Sequence, residues 1–272
     1  MRRSSRHRHG RLGPLLAGLI GLWALGVGPG FGGGAAAQQA GTDSQEGPRC
    51  GTVDLVFAID KTYSIGRAIG EVKAESRRLL DLVKAVSAGR FRLGLISFRD
   101  DIDVDLDLTD AGDPEEADRL FRRALFKLRA EGGEGGPEAS DEALRTAVEG
   151  LAGGRGRPQR GDFSGDWRAA SRILVLLTDS LPGGFDDTFR EEEDGANARA
   201  VAGAALARGI RISAVYIPTD GNQPQPDPRK AELMRTYALL TGGLFAQIQR
   251  SGQGAAEAIA DIIEACGAKT VS

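Results

Sequence analysis

An α/β fold with a doubly wound, mostly parallel sheet and one antiparallel edge strand is what this sequence predicts, and three observations predict it. Short apolar runs alternate with segments of helical period, as layered α/β domains require. One run, RILVLLTD at 172–179, is almost unbroken apolar sequence, which suits a central parallel strand covered on both faces. Another, IDVDLDLT at 102–109, alternates apolar with acidic residues, as an edge strand with one wet face would.

In chain order, TVDLVFAID at 52–60 reads as the first strand, bounded by Gly51. Residues 66–88 carry Ile69, Val72, Leu79, Leu80, Leu82, Val83 and Val86 at helical spacing. FRLGLISF at 91–98 is the next strand. A helix over 114–130 follows Asp113-Pro114, a capping residue and then proline at the first helical position. A further helix covers 138–152, and the Gly- and Arg-rich stretch 153–170 reads as an exposed loop whose Arg155, Arg157 and Arg160 are solvated. Helices near 188–208, 229–241 and 255–266 enclose two more strands, 210–217 and 243–249. Ligands of such sheets sit at the carboxyl ends of the strands, so the residues there matter most.

The N-terminus has the form of a secretory signal peptide. Arg2, Arg3, Arg6, Arg8 and Arg11 open it, a short apolar run extends from about Leu12 to Val27, and Ala35-Ala36-Ala37 closes it. Cleavage is expected near Ala37, with 38–49 as a polar linker, 50–267 as the domain and 268–272 as a short tail. The apolar run is broken by Pro14 and glycines, so no stable membrane span is expected in the mature chain. The full chain has 35 basic and 38 acidic residues, and loss of the five leader arginines takes its net charge from −3 to about −8. So acidic a protein is a poor partner for nucleic acid or an anionic membrane. The roughly 235 residues left suit one domain with a real core.

Both histidines, His7 and His9, lie in the leader. The mature chain therefore has no Ser-His-Asp triad, no Cys-His pair and no histidine zinc site. Its two cysteines, Cys50 and Cys266, read first as a disulfide in an oxidising compartment, periplasmic or extracellular.

The first strand ends in Asp60-Lys61-Thr62-Tyr63-Ser64, one carboxylate and two hydroxyls at alternate positions. Alternate residues of an extended turn point the same way, so three oxygens can converge on one hard cation. Asp179 supplies a second carboxylate at the end of the central strand, and between the two lies a glycine-rich loop, residues 131–138. Simpler roles exist: Asp60, Thr62 and Ser64 as a helix cap, Asp179 as a turn residue, Glu138 as a first-turn acid facing the helix dipole. Asp101, Asp103, Asp105 and Asp107 suggest a calcium loop, but Leu108 and Pro114 stand where an EF-hand needs Gly and Glu. The glycine-rich loop lacks the G-x-x-x-x-G-K-[ST] of a phosphate cradle.

At these residues the sequence resembles the von Willebrand factor A family. Asp60-x-Thr62-x-Ser64 matches its D-x-S-x-S signature with Thr in the middle place. RILVLLTD followed by SLPGGFDD resembles its apolar strand ending in T-D, and GGEGGPE resembles the G-G-x-x-P-E loop of one branch. ISFRD at 96–100 and the closing LTGGLFAQI…AIADIIEACG are also similar, so the likeness runs from Cys50 to Gly267. The resemblance implies a Rossmann-like fold in an exported, bacterial-type single-domain protein, and a metal-ion-dependent adhesion site. Thr62 and Ser64 would bind Mg²⁺ (or Mn²⁺ or Ca²⁺), with Asp60 and Asp179 direct or through water, and one open coordination place would take an acidic group of a protein partner. It also implies that Cys50 and Cys266 meet on the face opposite the metal. Two departures stand out: Tyr63 stands where glycine is common, and Lys61 brings a cation close by. The family's loop threonine has no clear counterpart; Thr146 lies too far into its helix, and Glu134, Glu138 and Ser140 are the local candidates. The expected function is a metal-dependent binding or adhesion module and not an enzyme; the alternatives are a metal-assisted hydrolase and a metal-free scaffold.

Overall fold

A computed structural model describes residues 49–133, 136–154, 156–186, 188–219 and 226–268 of the chain. All belong to one compact unit, residues 45–272. The expected leader, linker residues 38–48, Glu134 and tail residues 269–272 lie outside the described residues. Among the described residues, no helix is long and apolar enough to cross a membrane.

Strand β1 is Val53–Asp60, followed by a single 3₁₀ turn, Tyr63–Ile65, and helix α1, Gly66–Ser87. Next come β2 (Phe91–Phe98), β3 (Ile102–Leu106), α2 (Pro114–Lys127), α3 (Ser140–Glu149) and the two-residue β4 (Gln159–Arg160). The chain continues with β5 (Ser171–Thr178), α4 (Glu191–Ala207), β6 (Ile210–Tyr216), α5 (Pro228–Thr241), β7 (Phe245–Gln247) and α6 (Ala255–Glu264). The sheet order is β4-β3-β2-β1-β5-β6-β7, parallel throughout except where β3 pairs antiparallel with β2.

Every residue of β1 is buried, because both sheet faces are covered. Val53, Leu55, Phe57 and Ile59 pack against α1, α2 and α6, while Val56 and Ala58 pack against α3, α4 and α5. Alternation of this kind is the period-two geometry of a strand between two helical layers. From β1 the winding runs outward one way to β2 and the other way to β5 and β6, so the β1–β5 pair is the switch point where a doubly wound sheet opens a crevice.

Three sequence expectations are corrected. The stretch 153–170 is not an exposed loop: it forms β4 and buries Phe163, Trp167 and Gln159. Trp167 donates its indole N–H to the Ala147 carbonyl at 2.9 Å, and the absent Cβ of Gly94 in β2 leaves room for the Phe163 ring. Arg157 is not a solvated loop charge either; it bonds Glu142 at 2.6 Å and stacks on Phe185. Finally, β3 stops at Leu106 rather than reaching residue 109, and β4 lies outside it at the sheet edge. Asp107 ends β3 by turning inward, where its carboxylate accepts from the amide and hydroxyl of Ser164 at 3.0 and 2.9 Å.

Buried Asp54 anchors the same stretch at the amino end of β1. It accepts two bonds from the Arg92 guanidinium, at 2.9 and 2.7 Å, and the amides of Arg168 and Ala169 at 2.7 and 2.9 Å. Also at this end, Cys50 and Cys266 form a disulfide with Cα atoms 5.3 Å apart, closing a loop of 216 residues. Cross-linking over so long a loop restricts the unfolded chain. Replacing both cysteines by serine should therefore lower unfolding free energy by about 2–4 kcal/mol. Denaturant melts of the two proteins measure this; equal midpoints would contradict it.

Candidate metal centre

The parallel pairing of β1 with β5 sets the last residues of the two strands side by side, and the Thr178 hydroxyl donates to Asp60 Oδ2 at 2.6 Å. Asp60 Oδ1 accepts the amide of Thr62 at 2.8 Å, an Asx-type turn that swings the chain off the strand. The Thr62 and Ser64 hydroxyls then lie 3.0 Å apart. Asp179, the residue after β5, receives hydrogen bonds from the hydroxyls of Ser64 and Thr219. Asp60, Thr62, Ser64 and Asp179 are thus brought into one cluster. Asp60, Thr62 and Asp179 are buried, and Ser64 is exposed at the mouth.

The glycine-rich loop is stitched to both turns. Tyr63 N–H donates to the Gly132 carbonyl and Glu131 N–H to that of Lys61, at 3.1 and 2.9 Å. On the other side, the Ser180 hydroxyl donates to Gly136 O at 2.8 Å, and Glu138 exchanges backbone bonds with Leu181 and Gly183 at 2.9 Å each. Glu138 is 4% exposed. Gly133, at φ +72°, shows how closely the loop approaches: a Cβ there would lie 2.5 Å from Thr62 Cγ2 and 3.3 Å from Glu138 Oε1. Only glycine tolerates both that backbone and that contact. Glu138 therefore stands beside the cluster, while Glu134 falls outside the described residues. Ser140 is buried in the first turn of α3, and Thr146 is bonded to Gln159 and Arg157, away from the cluster.

Thr178 and Thr219 escaped the sequence reading. Thr178 belongs to the T-D pair but its bond to Asp60 follows only from strand register. Thr219 lies in the turn after β6, forty residues from Asp179, with no local signal to mark it.

The electrostatics favour a cation. Burial pushes the Asp60 carboxyl above its ordinary value, against the pull of Thr178 and Thr62. Burial and then the Asp60 charge push Asp179 up to about 7, with Ser64 and Lys230 opposing. Two buried carboxylates that resist ionising together are stabilised by a positive ion between them. Among the described residues no three His, Cys, Asp or Glu side chains cluster as a metal site. The donor set here is two carboxylates plus hydroxyls, all hard oxygens of the kind Mg²⁺, Mn²⁺ and Ca²⁺ accept. Lys61 does not fill this role. It is buried and paired with Asp101 at 3.1 Å and with Asp103, which also takes Arg160.

The von Willebrand factor type A domain model matches residues 54–236. The chain belongs to that family. Among solved structures similar to this VWA domain is a von Willebrand factor type A protein from Catenulispora acidiphila, 15% identical with TM-score 0.55, over 79% of this chain and 43% of that one. Another is the vWF domain of the type V pili tip protein Mfa5 from Porphyromonas gingivalis, 12% identical with TM-score 0.53, over 82% and 98%. A third is proximal thread matrix protein 1 from the mussel byssus with a zinc-occupied MIDAS motif, 14% identical with TM-score 0.51, over 80% and 46%. The VWA domain thus spans less than half the length of the first and third.

The raised Asp179 carboxyl carries a stability consequence. Its folded-state value lies above the unfolded one, so its contribution is complete below about 4 and is lost as pH rises through about 7. In the metal-free protein, Asp179→Asn removes that loss. The variant should be more stable than the parent at pH 8, on the order of 2 kcal/mol, with the difference vanishing near pH 4. Thermal melts in EDTA across this range test it; a difference independent of pH would refute it.

Proposed function

We propose that this VWA domain is an exported, metal-dependent protein-binding module. The observation that carries the reading is the convergence of two buried carboxylates and two hydroxyls at the switch point of the sheet, with Ser64 at the exposed edge of the cluster. Thr62 and Ser64 would hold the ion by their hydroxyls, Asp60 and Asp179 directly or through water, with Glu138 or Glu134 as the ligand from the glycine-rich loop. The bound ion supplies an incompletely neutralised positive charge, which attracts an acidic side chain of the partner.

The residues around the ion prepare it for that role. Thr178 and the Thr62 amide fix both Asp60 oxygens, so the carboxylate keeps one orientation. Thr219 does the same for Asp179. The named properties of similar proteins agree: one is a pili tip protein and another carries zinc in its MIDAS motif. Export fits the basic, apolar and small-residue pattern of residues 1–37, which we take as a leader cleaved near Ala37, ahead of a domain from Cys50 to Gly267. A histidine-based hydrolase finds no support, since the only histidines of the chain are His7 and His9 in that leader.

Calorimetric titration of the EDTA-treated, dialysed protein with Mg²⁺ or Mn²⁺ should show one saturable site, abolished by Asp60→Ala and by Asp179→Ala. Undiminished binding in both variants would overturn the assignment. A protein partner captured from the native envelope should be released by EDTA.

A further inference from the structure

We infer that Tyr63 is the second anchor of the partner-binding face, so that the partner presents an acidic residue with a proline or aromatic side chain close beside it. The inference rests on the metal-dependent reading above and adds to it the chemistry next to the acid.

Tyr63 lies between the two candidate hydroxyl ligands, Thr62 and Ser64, in the turn that leaves β1. Its side chain is 78% exposed, the most of the exposed large hydrophobic residues described. An aromatic ring left in water gains nothing for the fold, and this one is not needed to shape the turn. The turn is held by the backbone instead: Thr62 N–H on Asp60, Tyr63 N–H on Gly132 O, and Glu131 N–H on Lys61 O. Those bonds fix the Cα of Tyr63, so the ring is presented from a rigid base.

Among the described residues of the cluster, Asp60, Thr62, Glu138 and Asp179 are buried, so a partner reaching the ion meets Ser64 and the exposed Tyr63 beside it. Lys61, the other departure from the family signature, is buried and bound to Asp101 and Asp103. Tyr63 therefore adds a flat, amphipathic and uncharged contact beside the ion, with the Lys230 charge near Asp179. Tyrosine loses little side-chain entropy on contact and is enriched at binding hot spots. Its face favours aromatic and proline side chains, which bury area against it and bring no charge to repel the acidic chain.

A random peptide library displayed on phage, panned on the Mg²⁺-loaded protein and eluted with EDTA, tests the inference. Selected peptides should carry Asp or Glu with Pro, Trp, Tyr or Phe within two positions. Tyr63→Ala should bind Mg²⁺ as the parent does, bind the selected peptides about tenfold or more weakly, and lose the aromatic and proline preference while keeping the acid. Tyr63→Phe, which keeps the ring, should stay within about threefold of the parent. If the acid is selected with no preferred neighbour, or Tyr63→Ala binds as tightly as the parent, the role of Tyr63 is overturned and the metal reading stands. If no EDTA-eluted peptide carries an acid, both fall.

Discussion

The pairing of β1 with β5 is the constraint on which this structure depends. Both strands are buried on both faces, so their register is set by the core and not by anything at the site. That register places Thr178 against Asp60 and carries Asp179 past the strand end into the same crevice. Two carboxylates so placed oppose folding unless protons or a cation relieve them, and each is fixed by hydroxyls that cannot neutralise it. Net folding stabilities of only about 5–15 kcal/mol make such a cost significant. It is tolerated because two apolar layers and a disulfide hold the strands from elsewhere.

The central strands, the six helices and the position of Asp60, Thr62, Ser64 and Asp179 at strand ends were legible in the sequence, because period-two and helical apolar patterns carry that information locally. The order β4-β3-β2-β1-β5-β6-β7 puts these residues at the switch point, where α/β sheets open. What stayed illegible depends on contacts distant in sequence. Thr219 reaches Asp179 across forty residues. Asp54 sits in an apolar strand and looks like a flaw until Arg92 and two amides near residue 168 surround it. The place of Glu138 beside Thr62 was illegible too, since the glycines before it leave no periodic pattern to orient a side chain.

The segment 153–170 was misread for an instructive reason. Four arginines and five glycines suggest solvent, but two of these arginines have partners on other elements. Arg157 pairs with Glu142 of α3, Arg160 with Asp103 of β3, and Phe163 and Trp167 enter the core between them. Composition counts charges without seeing where their partners lie. Two bulky aromatics four residues apart were the signal that the stretch packs against something.

The same segment bears on the candidate metal centre, though none of its residues belongs to it. Lys61 follows Asp60 directly, and a free ammonium there would compete with a cation for the carboxylates. Asp103 and Asp101 draw the Lys61 ammonium toward β3 instead. Asp103 can serve because Arg160 grips it from β4: burial pushes its carboxyl up, but the bonds from Arg160 and Lys61 outweigh this and keep it ionised well into acid. At the other end of the sheet, the amides of Arg168 and Ala169 close around Asp54 at the start of β1. One continuous stretch of chain therefore steadies β1 at both ends, and the departure from the family signature at Lys61 is compensated by an arginine ninety-nine residues away.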